Sequence, residues 1–307
     1  MRTTPLVAVA VAAVTLSLAA CSGGSTTPAA SASGAGSSAA ATFDPSTVAK
    51  DDALAALLPD KVKSAGTLVV GADTSYAPAE YIAEDGKTPV GYDVDLSKAI
   101  AAVLGLKADV QSADFTGIIP AIGSKYDVGI SSFTINSDRE TQVNMISYFQ
   151  AGEAYAVQKG NPKKVTQDDI CGFTVGVQTG TVEDTELDPV VAKCKADGKK
   201  DIQVLKYAMQ SDVTTALVGG KADLMYADSP IIAYAISQTN GQLEQLGPVF
   251  ASAPQGIVVA KSDTQLTTAI QKAVQKLIDD GTYGKILAAW GNQAGAVKTA
   301  ELNPTVS

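Results

Sequence analysis

Thr67-Leu-Val-Val-Gly71 and Ala108-Asp-Val-Gln111 are two predicted strands, and the segment between them contains a predicted helix at residues 93–104. The first strand is short, apolar and rich in β-branched residues, as buried strands are. In the helix, apolar residues recur at helical spacing: Leu96, Ile100, Val103 and Leu104. Strand, helix and strand in this order predict a parallel sheet with right-handed crossovers.

The same alternation continues along most of the chain. Further strands are predicted at 127–133, 173–177, 202–206, 222–227 and 255–260, and further helices at 51–64, 115–122, 181–195, 211–218, 266–278 and 283–290. Both halves repeat this architecture without a sequence period, so the chain is not a solenoid. Two α/β lobes predict a ligand cleft between them.

One strand end combines an arginine with hydroxyl side chains. Arg139 ends the run Asp127-Val-Gly-Ile-Ser-Ser-Phe-Thr-Ile-Asn-Ser-Asp-Arg139, and Arg2 is the other arginine of the chain. A guanidinium beside hydroxyl groups suits bidentate binding of an α-carboxylate, although a lone arginine is also an ordinary surface ion-pair partner. The chain has no histidine, which removes the commonest general base and metal ligand. These features favour binding of a small carboxylate over its chemical conversion.

The N-terminus has the pattern of an export signal. Arg2 precedes an apolar run at residues 6–18, which is too short for a membrane span and closes with Leu18-Ala19-Ala20-Cys21. Small residues before a cysteine resemble the lipobox of bacterial lipoproteins, in which signal peptidase cuts before a cysteine that carries acyl chains. We therefore expect a lipoprotein signal peptide at 1–20, a lipidated Cys21 and a flexible Ser/Gly/Ala/Thr tether at 21–50.

The other two cysteines and the net charge restrict the possible kinds of site and partner further. Cys171 and Cys194 are left to form a disulfide in an oxidising compartment. A metal pair is disfavoured, because no histidine and no other thiol accompanies them. The formal net charge is −9 and no basic run appears, which argues against nucleic-acid binding.

Seven motifs occur in an order that resembles a known family. They are Val70-Gly-Ala-Asp-Thr-Ser-Tyr-Ala-Pro78, Gly91-Tyr-Asp-Val-Asp-Leu96, Phe115-Thr-Gly-Ile-Ile-Pro120, Ser131-Ser-Phe-Thr134 with Arg139, Thr179-Gly-Thr181, Ala227-Asp-Ser229 and Asp280-Gly-Thr-Tyr-Gly-Lys-Ile-Leu-Ala-Ala-Trp-Gly291. Together they resemble the polar-amino-acid family (family 3) of extracellular solute-binding proteins, which serve bacterial ABC importers. The resemblance runs from about residue 68 to 291, and the second and last motifs are the most specific.

The resemblance implies a fold and a division of the chain. The fold would be α/β, a two-lobed periplasmic-binding-protein fold of type II, with the ligand cleft between lobes joined by a two-strand hinge. Residues 51–155 and 250–307 would form lobe 1, and residues 156–249 would form lobe 2.

The resemblance also implies roles for residues of both lobes. Arg139 would bind the ligand α-carboxylate from lobe 1, beside the hydroxyl groups of Ser131, Ser132 and Thr134, for which ordinary strand positions are the alternative. From lobe 2, the same carboxylate would meet a helix N-terminus formed by Gly180, Thr181 and Val182. Asp228 would bind the α-ammonium group; alternatively, it is the N-cap of the helix that follows.

Several further residues would shape the side-chain pocket. Tyr76 and Phe115 would form its aromatic walls, although core packing suits Phe115 equally well. Three carboxylates fall in segments that the family places near the ligand: Asp73, Glu80 and Asp93. Asp73 would otherwise cap a turn, Glu80 would be solvated, and Asp95 is expected to cap a helix as a solvated acid. Relatives often have an aromatic residue where this chain has Ala79, which enlarges the pocket.

Together these features predict a binding protein with no cofactor and no metal. We expect a monomer anchored by lipid alone to the outer face of the cell membrane, which captures an amino acid by lobe closure and delivers it to the transmembrane subunits of an ABC permease. The carboxylates favour a basic or polar neutral amino acid, because an unpaired buried charge is costly. The alternative is an enzyme on the same fold, a dehydratase or lyase acting on a small carboxylate, with Glu80, Asp93, Asp228 or a tyrosine as its acid or base.

Overall fold

The computed structural model describes residues 43–306. The expected signal peptide, the expected lipidation site Cys21 and residues 22–42 of the expected tether lie outside the described residues. The described strands are β1 Thr67–Ala72, β2 Ser75–Tyr76, β3 Glu80–Ile82, β4 Pro89–Val90, β5 Lys107–Ser112, β6 Val128–Gly129, β7 Val143–Gln158, β8 Thr174–Gln178, β9 Gln203–Tyr207, β10 Leu224–Asp228 and β11 Leu243–Ala260. The helices are α1 Asp52–Ala55, α2 Asp60–Ala65, α3 Tyr92–Val103, α4 Phe115–Ala121, α5 Ser137–Gln142, α6 Val182–Ala196, α7 Gln210–Val218, α8 Ser229–Gln238, α9 Thr264–Asp279 and α10 Thr282–Ala289.

Eight strands form one mixed sheet, in the order β5-β1-β6-β11-β7-β10-β8-β9. β1 is parallel to β5 and β6, and β8 is parallel to β9 and β10, as the alternating pattern predicts. The two central strands, β7 and β11, are antiparallel to each other and to the strands beside them. The prediction of a parallel sheet is therefore wrong at the centre, where the chain passes between the two halves and forms no βαβ crossover.

The central strands give the fold its two lobes. β7 has 16 residues and β11 has 18, and their pairing register shifts between Leu246 and Gly256. On one side of these shifts β11 pairs with β6, and on the other side β7 pairs with β10. The protein thus has the α/β, two-lobed type II fold, with two long strands joining the lobes. The lobe bounds after residues 155 and 249 stay a prediction.

Two elements differ from the sequence-based expectation for clear local reasons. The helix predicted at 51–64 is two short helices, α1 and α2, and Pro59 is the N-cap of the second. Proline has no N–H group and cannot continue a helix from its preceding turn. The strand predicted at 127–133 shortens to β6, because Ser132 has a φ of 49° and turns the chain out of the sheet. The turn places Ser131 and Ser132 at the junction of the lobes.

The predicted disulfide between Cys171 and Cys194 is confirmed, with a Cα–Cα distance of 5.7 Å. Cys194 lies on α6 and is fully buried in the apolar core of lobe 2, beside Leu187 and Ile202. The bridge therefore ties α6, whose N-terminus faces the other lobe, to the segment before β8.

Removing this bridge should lower the stability of the protein. The double substitution of Cys171 and Cys194 by serine should reduce the free energy of unfolding by about 3 kcal/mol, because a loop of this length is then no longer constrained in the unfolded chain. Urea unfolding of the wild type and the double variant measures the difference. A loss of less than about 1 kcal/mol would show that the bridge contributes little.

Candidate functional site

Arg139 lies in α5 and points at the junction of the lobes. One guanidinium nitrogen, Nη1, donates a hydrogen bond to the Thr134 carbonyl at 2.8 Å, and the other, Nη2, donates to the Gly180 carbonyl at 3.2 Å. The guanidinium carbon lies 5.4 Å from the centre of the Phe115 ring and 5.7 Å from that of Phe133. Both hydrogen bonds go to uncharged carbonyl groups, so the positive charge is held in place by neutral partners.

Asp228 lies at the end of β10, on the opposite lobe. It is 6% exposed, and its Oδ2 accepts hydrogen bonds from the Tyr76 hydroxyl at 2.8 Å and from Gln255 Nε2 at 2.9 Å. Asp228 occupies the N-cap position of α8, as the alternative interpretation had it, but its side chain makes no capping hydrogen bond to this helix. Burial raises the pKa of Asp228 well above its usual value, and the nearby Glu183 raises it further.

Between Arg139 and Asp228 the two lobes enclose a small cavity. It is lined by Tyr76, Phe115, Ser131, Ser132, Thr134, Arg139, Thr181, Val182, Glu183 and Asp228, and its volume is about 10 Å³. All of these residues except Glu183 were predicted from the sequence. A volume of this size admits about one water molecule.

Glu183 is the residue that the sequence analysis missed. It is the second residue of α6 and 2% exposed, and its Oε1 has no hydrogen-bond partner among residues 43–306. Burial raises the pKa of Glu183 to about 7, against the smaller opposing effect of Arg139. An acidic residue in the first turn of a helix is common, because it complements the helix dipole. Its place two residues after the Thr179-Gly-Thr181 motif was the one available signal.

The polar groups at the N-terminus of α6 form different hydrogen bonds from those expected. Thr181 is the N-cap, and its Oγ1 accepts a hydrogen bond from the Asp184 amide at 3.3 Å. The Gly180 amide donates to Asp184 Oδ2 at 2.9 Å, and Asp184 also pairs with Lys206 at 2.7 Å. Gly180 therefore contributes its carbonyl to Arg139, while its amide is used within lobe 2. Thr181 and Val182 remain at the cavity wall.

The predicted carboxylates lie beside the cavity without lining it. Asp73 Oδ1 accepts hydrogen bonds from the amide and hydroxyl of Ser75, so it caps a local turn. Its Oδ2 accepts from the Phe115 amide at 3.0 Å and from Gln178 Nε2, across the lobe junction, at 2.8 Å. Glu80 and Asp93 are buried behind Ser131 and form a separate cluster that is described below.

Asp95 does not have the predicted environment. The expectation was a solvated acid that caps a helix, but Asp95 lies inside α3, is 8% exposed and accepts a hydrogen bond from Trp290 Nε1 at 2.9 Å. The helix begins at Tyr92, one residue before the predicted start. Its first turn is buried, because Gly91 approaches the Ala79 carbonyl too closely for any Cβ atom.

Direct hydrogen bonds join the two lobes around the cavity. Besides Tyr76 to Asp228 and Gln178 to Asp73, the Gln210 amide of α7 donates to Ser75 Oγ at 3.0 Å. Further out, the ring of Tyr81 lies 5.9 Å from Tyr234 of α8 and 6.1 Å from Trp290. Trp290 is the one tryptophan of the chain and lies at the same surface pocket as Tyr81 and Tyr234, so its fluorescence is a probe of this edge of the lobe junction.

Within residues 43–306, no group of three or more His, Cys, Asp or Glu side chains is placed to hold a metal ion. None of the helices in this part of the chain is long and apolar enough to cross a bilayer.

Three known proteins are similar to this chain in sequence or in structure. Over 250 residues the chain is 35% identical to the arginine-binding protein ArgT of Corynebacterium glutamicum, covering 81% of this chain and 82% of ArgT. An ancestral arginine-binding protein, solved with bound arginine, superposes with a TM-score of 0.68 at 37% identity and covers 73% of this chain and 98% of its own. The ancestral amino acid-binding protein AncCDT-1, a precursor of cyclohexadienyl dehydratase, has the same TM-score at 28% identity, with 75% of this chain and 98% of its own covered.

The family assignment follows from the length of the match. Residues 68–293 match the bacterial extracellular solute-binding proteins, family 3, and this segment holds both central strands and every residue that lines the cavity. The chain therefore belongs to the bacterial extracellular solute-binding proteins, family 3.

Proposed function

We propose that this protein binds an amino acid between its two lobes and delivers it to the permease of an ABC importer. The observation that carries the proposal is the placement of Arg139 on one lobe and Asp228 on the other, facing the same cavity. A zwitterionic amino acid has one charged group for each of these residues. Binding both at once would hold the lobes together.

The cavity walls provide a partner for each group of the ligand. The α-carboxylate pairs with Arg139, and Thr181 and Val182 contact it from the N-terminus of α6. The α-ammonium group pairs with Asp228 and donates to oxygen atoms of Ser132 and Thr134. The side chain passes between two aromatic rings, which are those of Tyr76 and Phe115.

Capture requires the lobes to open. A cavity of about 10 Å³ is far smaller than an amino acid, and direct hydrogen bonds such as Tyr76 to Asp228 occupy its rim. The two long strands β7 and β11 are the connections that must bend. A ligand that contacts both lobes in the closed form shifts the equilibrium towards that form, and the permease then recognises the closed shape.

The charges around the cavity favour a basic amino acid within the predicted class of basic or polar neutral ligands. Arg139 is balanced by the ligand carboxylate and Asp228 by the ligand ammonium, which leaves Glu183 for the side chain. A cationic side chain would pair with this carboxylate, whereas a neutral one would leave it buried and unpaired. The names of ArgT and of the ancestral arginine-binding protein support arginine as the first ligand to test.

The proposal includes the location of the protein. The signal peptide at 1–20 and the lipid on Cys21 would hold a monomer on the outer face of the cell membrane, with the tether giving the lobes freedom to reach the permease. Residues 43–306 would then work as a soluble receptor beside the membrane.

A thermal-shift screen of residues 43–307 tests the ligand assignment. The twenty amino acids, ornithine, citrulline and simple carboxylates are each added, and a ligand that binds the folded state raises the melting temperature. Shifts with basic or polar neutral amino acids support the proposal. Shifts only with carboxylates that lack an α-amino group would overturn it. Chromatography of the ligand after incubation separates binding from turnover, because a dehydratase or lyase would consume it.

Glu183 provides a prediction with a defined pH dependence. Glu183→Gln should weaken L-arginine binding roughly 10- to 100-fold, as expected for loss of a charge-assisted hydrogen bond, and should leave L-glutamine binding nearly unchanged. Burial raises the pKa of Glu183 to about 7, and a cationic ligand prefers the ionised form. Wild-type affinity for L-arginine should therefore rise between pH 6 and pH 8.

Titration calorimetry at several pH values checks this prediction. Asp188→Asn is the matched control, because Asp188 is an exposed acid on the same helix. Equal losses for arginine and glutamine, or a pH dependence that persists in Glu183→Gln, would contradict the assignment of Glu183 to the side-chain pocket.

A further inference from the structure

We propose that the carboxyl groups of Glu80 and Asp93 share one proton, and that this pair positions the Ser131–Ser132 turn at the ligand cavity. The inference rests on the proposed function only in that both serines line that cavity. Neither acid lines it. Their role would be to hold the serines, with no direct contact to the ligand.

Glu80 holds the first serine. It lies on β3, is fully buried, and its Oε1 accepts a hydrogen bond from the Ser131 hydroxyl at 2.7 Å. The same hydroxyl oxygen accepts a hydrogen bond from the Asp73 amide at 2.9 Å. Ser131 is thereby fixed between β3 and the end of β1.

Asp93 holds the second serine. It lies at the start of α3 and is 1% exposed, and its Oδ2 accepts from the Tyr148 hydroxyl at 2.6 Å and from the Ser132 amide at 3.0 Å. Ser132 has a φ of 49°, a left-handed conformation that a residue with a side chain adopts at some cost. The bond from its amide to Asp93 stabilises this turn.

The second carboxyl oxygen of each acid is buried as well. Glu80 Oε2 and Asp93 Oδ1 are both buried without a hydrogen-bond partner among residues 43–306, and each of the two carboxyl groups lies close enough to shift the pKa of the other. Two carboxylate oxygens repel unless a proton lies between them. One shared proton satisfies both atoms and removes one buried charge.

The surroundings indicate which acid keeps the proton. The titratable groups that act on the pair are all acids: Asp73 just after β1, Tyr92 on α3, Tyr148 on β7 and Asp228 at the end of β10. Asp93 accepts more hydrogen bonds from the protein than Glu80, so the negative charge is better placed on Asp93. Burial raises the pKa of Glu80 well above its usual value and that of Asp93 to about 6. Glu80 is therefore the protonated partner at neutral pH.

The sign of the pH effect follows from the raised pKa. The folded protein holds the Glu80 proton more tightly than the unfolded chain does, so the stabilisation is complete below the unfolded pKa and is lost as pH rises through the folded pKa. On the alkaline side, two adjacent carboxylates would displace the Ser131–Ser132 turn. Stability and ligand affinity should then fall together.

Two substitutions of similar size distinguish the loss of a hydrogen-bond donor at position 80 from a change in side-chain volume. Glu80→Gln keeps an oxygen for Ser131 and supplies a permanent N–H donor to Asp93, whereas Glu80→Met supplies no donor. Three readouts are measured on residues 43–307. They are the infrared band of protonated carboxylic acids at pH 7, the free energy of unfolding against pH without ligand, and the affinity for L-arginine.

We expect Glu80→Gln to lose one carboxylic-acid equivalent from the infrared band and to keep ligand affinity within about threefold at pH 7. Its stability should fall less steeply than that of the wild type above neutral pH. Glu80→Met should lose the same band and bind ligand about tenfold or more weakly. An unchanged band in Glu80→Gln, or equal affinity losses in both variants, would overturn the shared proton or its positioning role. The infrared and unfolding readouts need no ligand, so they remain decisive even if no amino acid binds.

Discussion

Replacing Arg139 with alanine should lower the affinity for the amino acid ligand roughly 100-fold or more. The guanidinium is held by two neutral carbonyl groups and two aromatic rings, which leaves its charge and its remaining donors for the proposed ligand carboxylate. Removing one member of a buried, hydrogen-bonded charge pair typically costs about 2–5 kcal/mol, because the other member is left buried and unpaired. Titration calorimetry or Trp290 fluorescence measures the change.

Arg139→Lys tests the geometry of the same contact. Lysine keeps the charge but cannot make two parallel hydrogen bonds from a planar group, so we expect an affinity between those of the wild type and the alanine variant. Thermal melting without ligand is the control for folding. An alanine variant that folds and binds with wild-type affinity would remove Arg139 from the site and, with it, the proposed orientation of the ligand.

Asp228→Asn should change binding and stability in opposite directions. The α-ammonium group loses its charged partner, which should weaken binding roughly 10- to 100-fold, as for other charge-assisted hydrogen bonds. The free protein should become more stable at neutral pH, because burial and the neighbouring Glu183 raise the pKa of Asp228 and make its charged form unfavourable. The amide still accepts a hydrogen bond from Tyr76, as the carboxylate does at 2.8 Å.

Melting curves recorded with and without ligand measure the change in binding and the change in stability in one experiment. The variant should melt at the wild-type temperature or higher without ligand, and the ligand should raise that temperature much less than in the wild type. Asp263→Asn is a matched control, because Asp263 is the N-cap of α9 and does not line the cavity. A lower melting temperature combined with unchanged affinity would mean that Asp228 has a structural role only.

The sequence predicted most elements of the fold, because their signals are local. The α9 helix covers Thr264–Asp279 against a predicted 266–278, since its apolar residues keep helical spacing along its whole length. β7 was missed, because it is buried on both faces for most of its 16 residues and so lacks the alternation of a half-exposed strand. β11 was recognised only at its last residues for a different reason: its middle portion is largely exposed and irregularly paired.

Among the site residues, too, those with a local sequence signal were predicted and those that depend on tertiary packing were not. Arg139, Thr181 and Asp228 were found because they end strands or begin helices within recognisable motifs, and those positions face the cleft of an α/β protein. Glu183 was missed because an acid in a first helical turn usually contacts water, whereas here it is buried at the cavity that Arg139 of the opposite lobe also lines. Glu80 and Asp93 were predicted to contact ligand, but β3 and α3 bring them together behind Ser131.

The sequence by itself determined the family, the two α/β lobes, the disulfide and the pair of opposite charges that the ligand would bridge. These features depend on residue type and on spacing along the chain, which the sequence contains directly. Tertiary structure alone decided that the central strands are antiparallel, that Glu183 faces the cavity and that Glu80 meets Asp93. Each of these depends on which distant segments pack together, since burial and charge pairing are properties of neighbours in space.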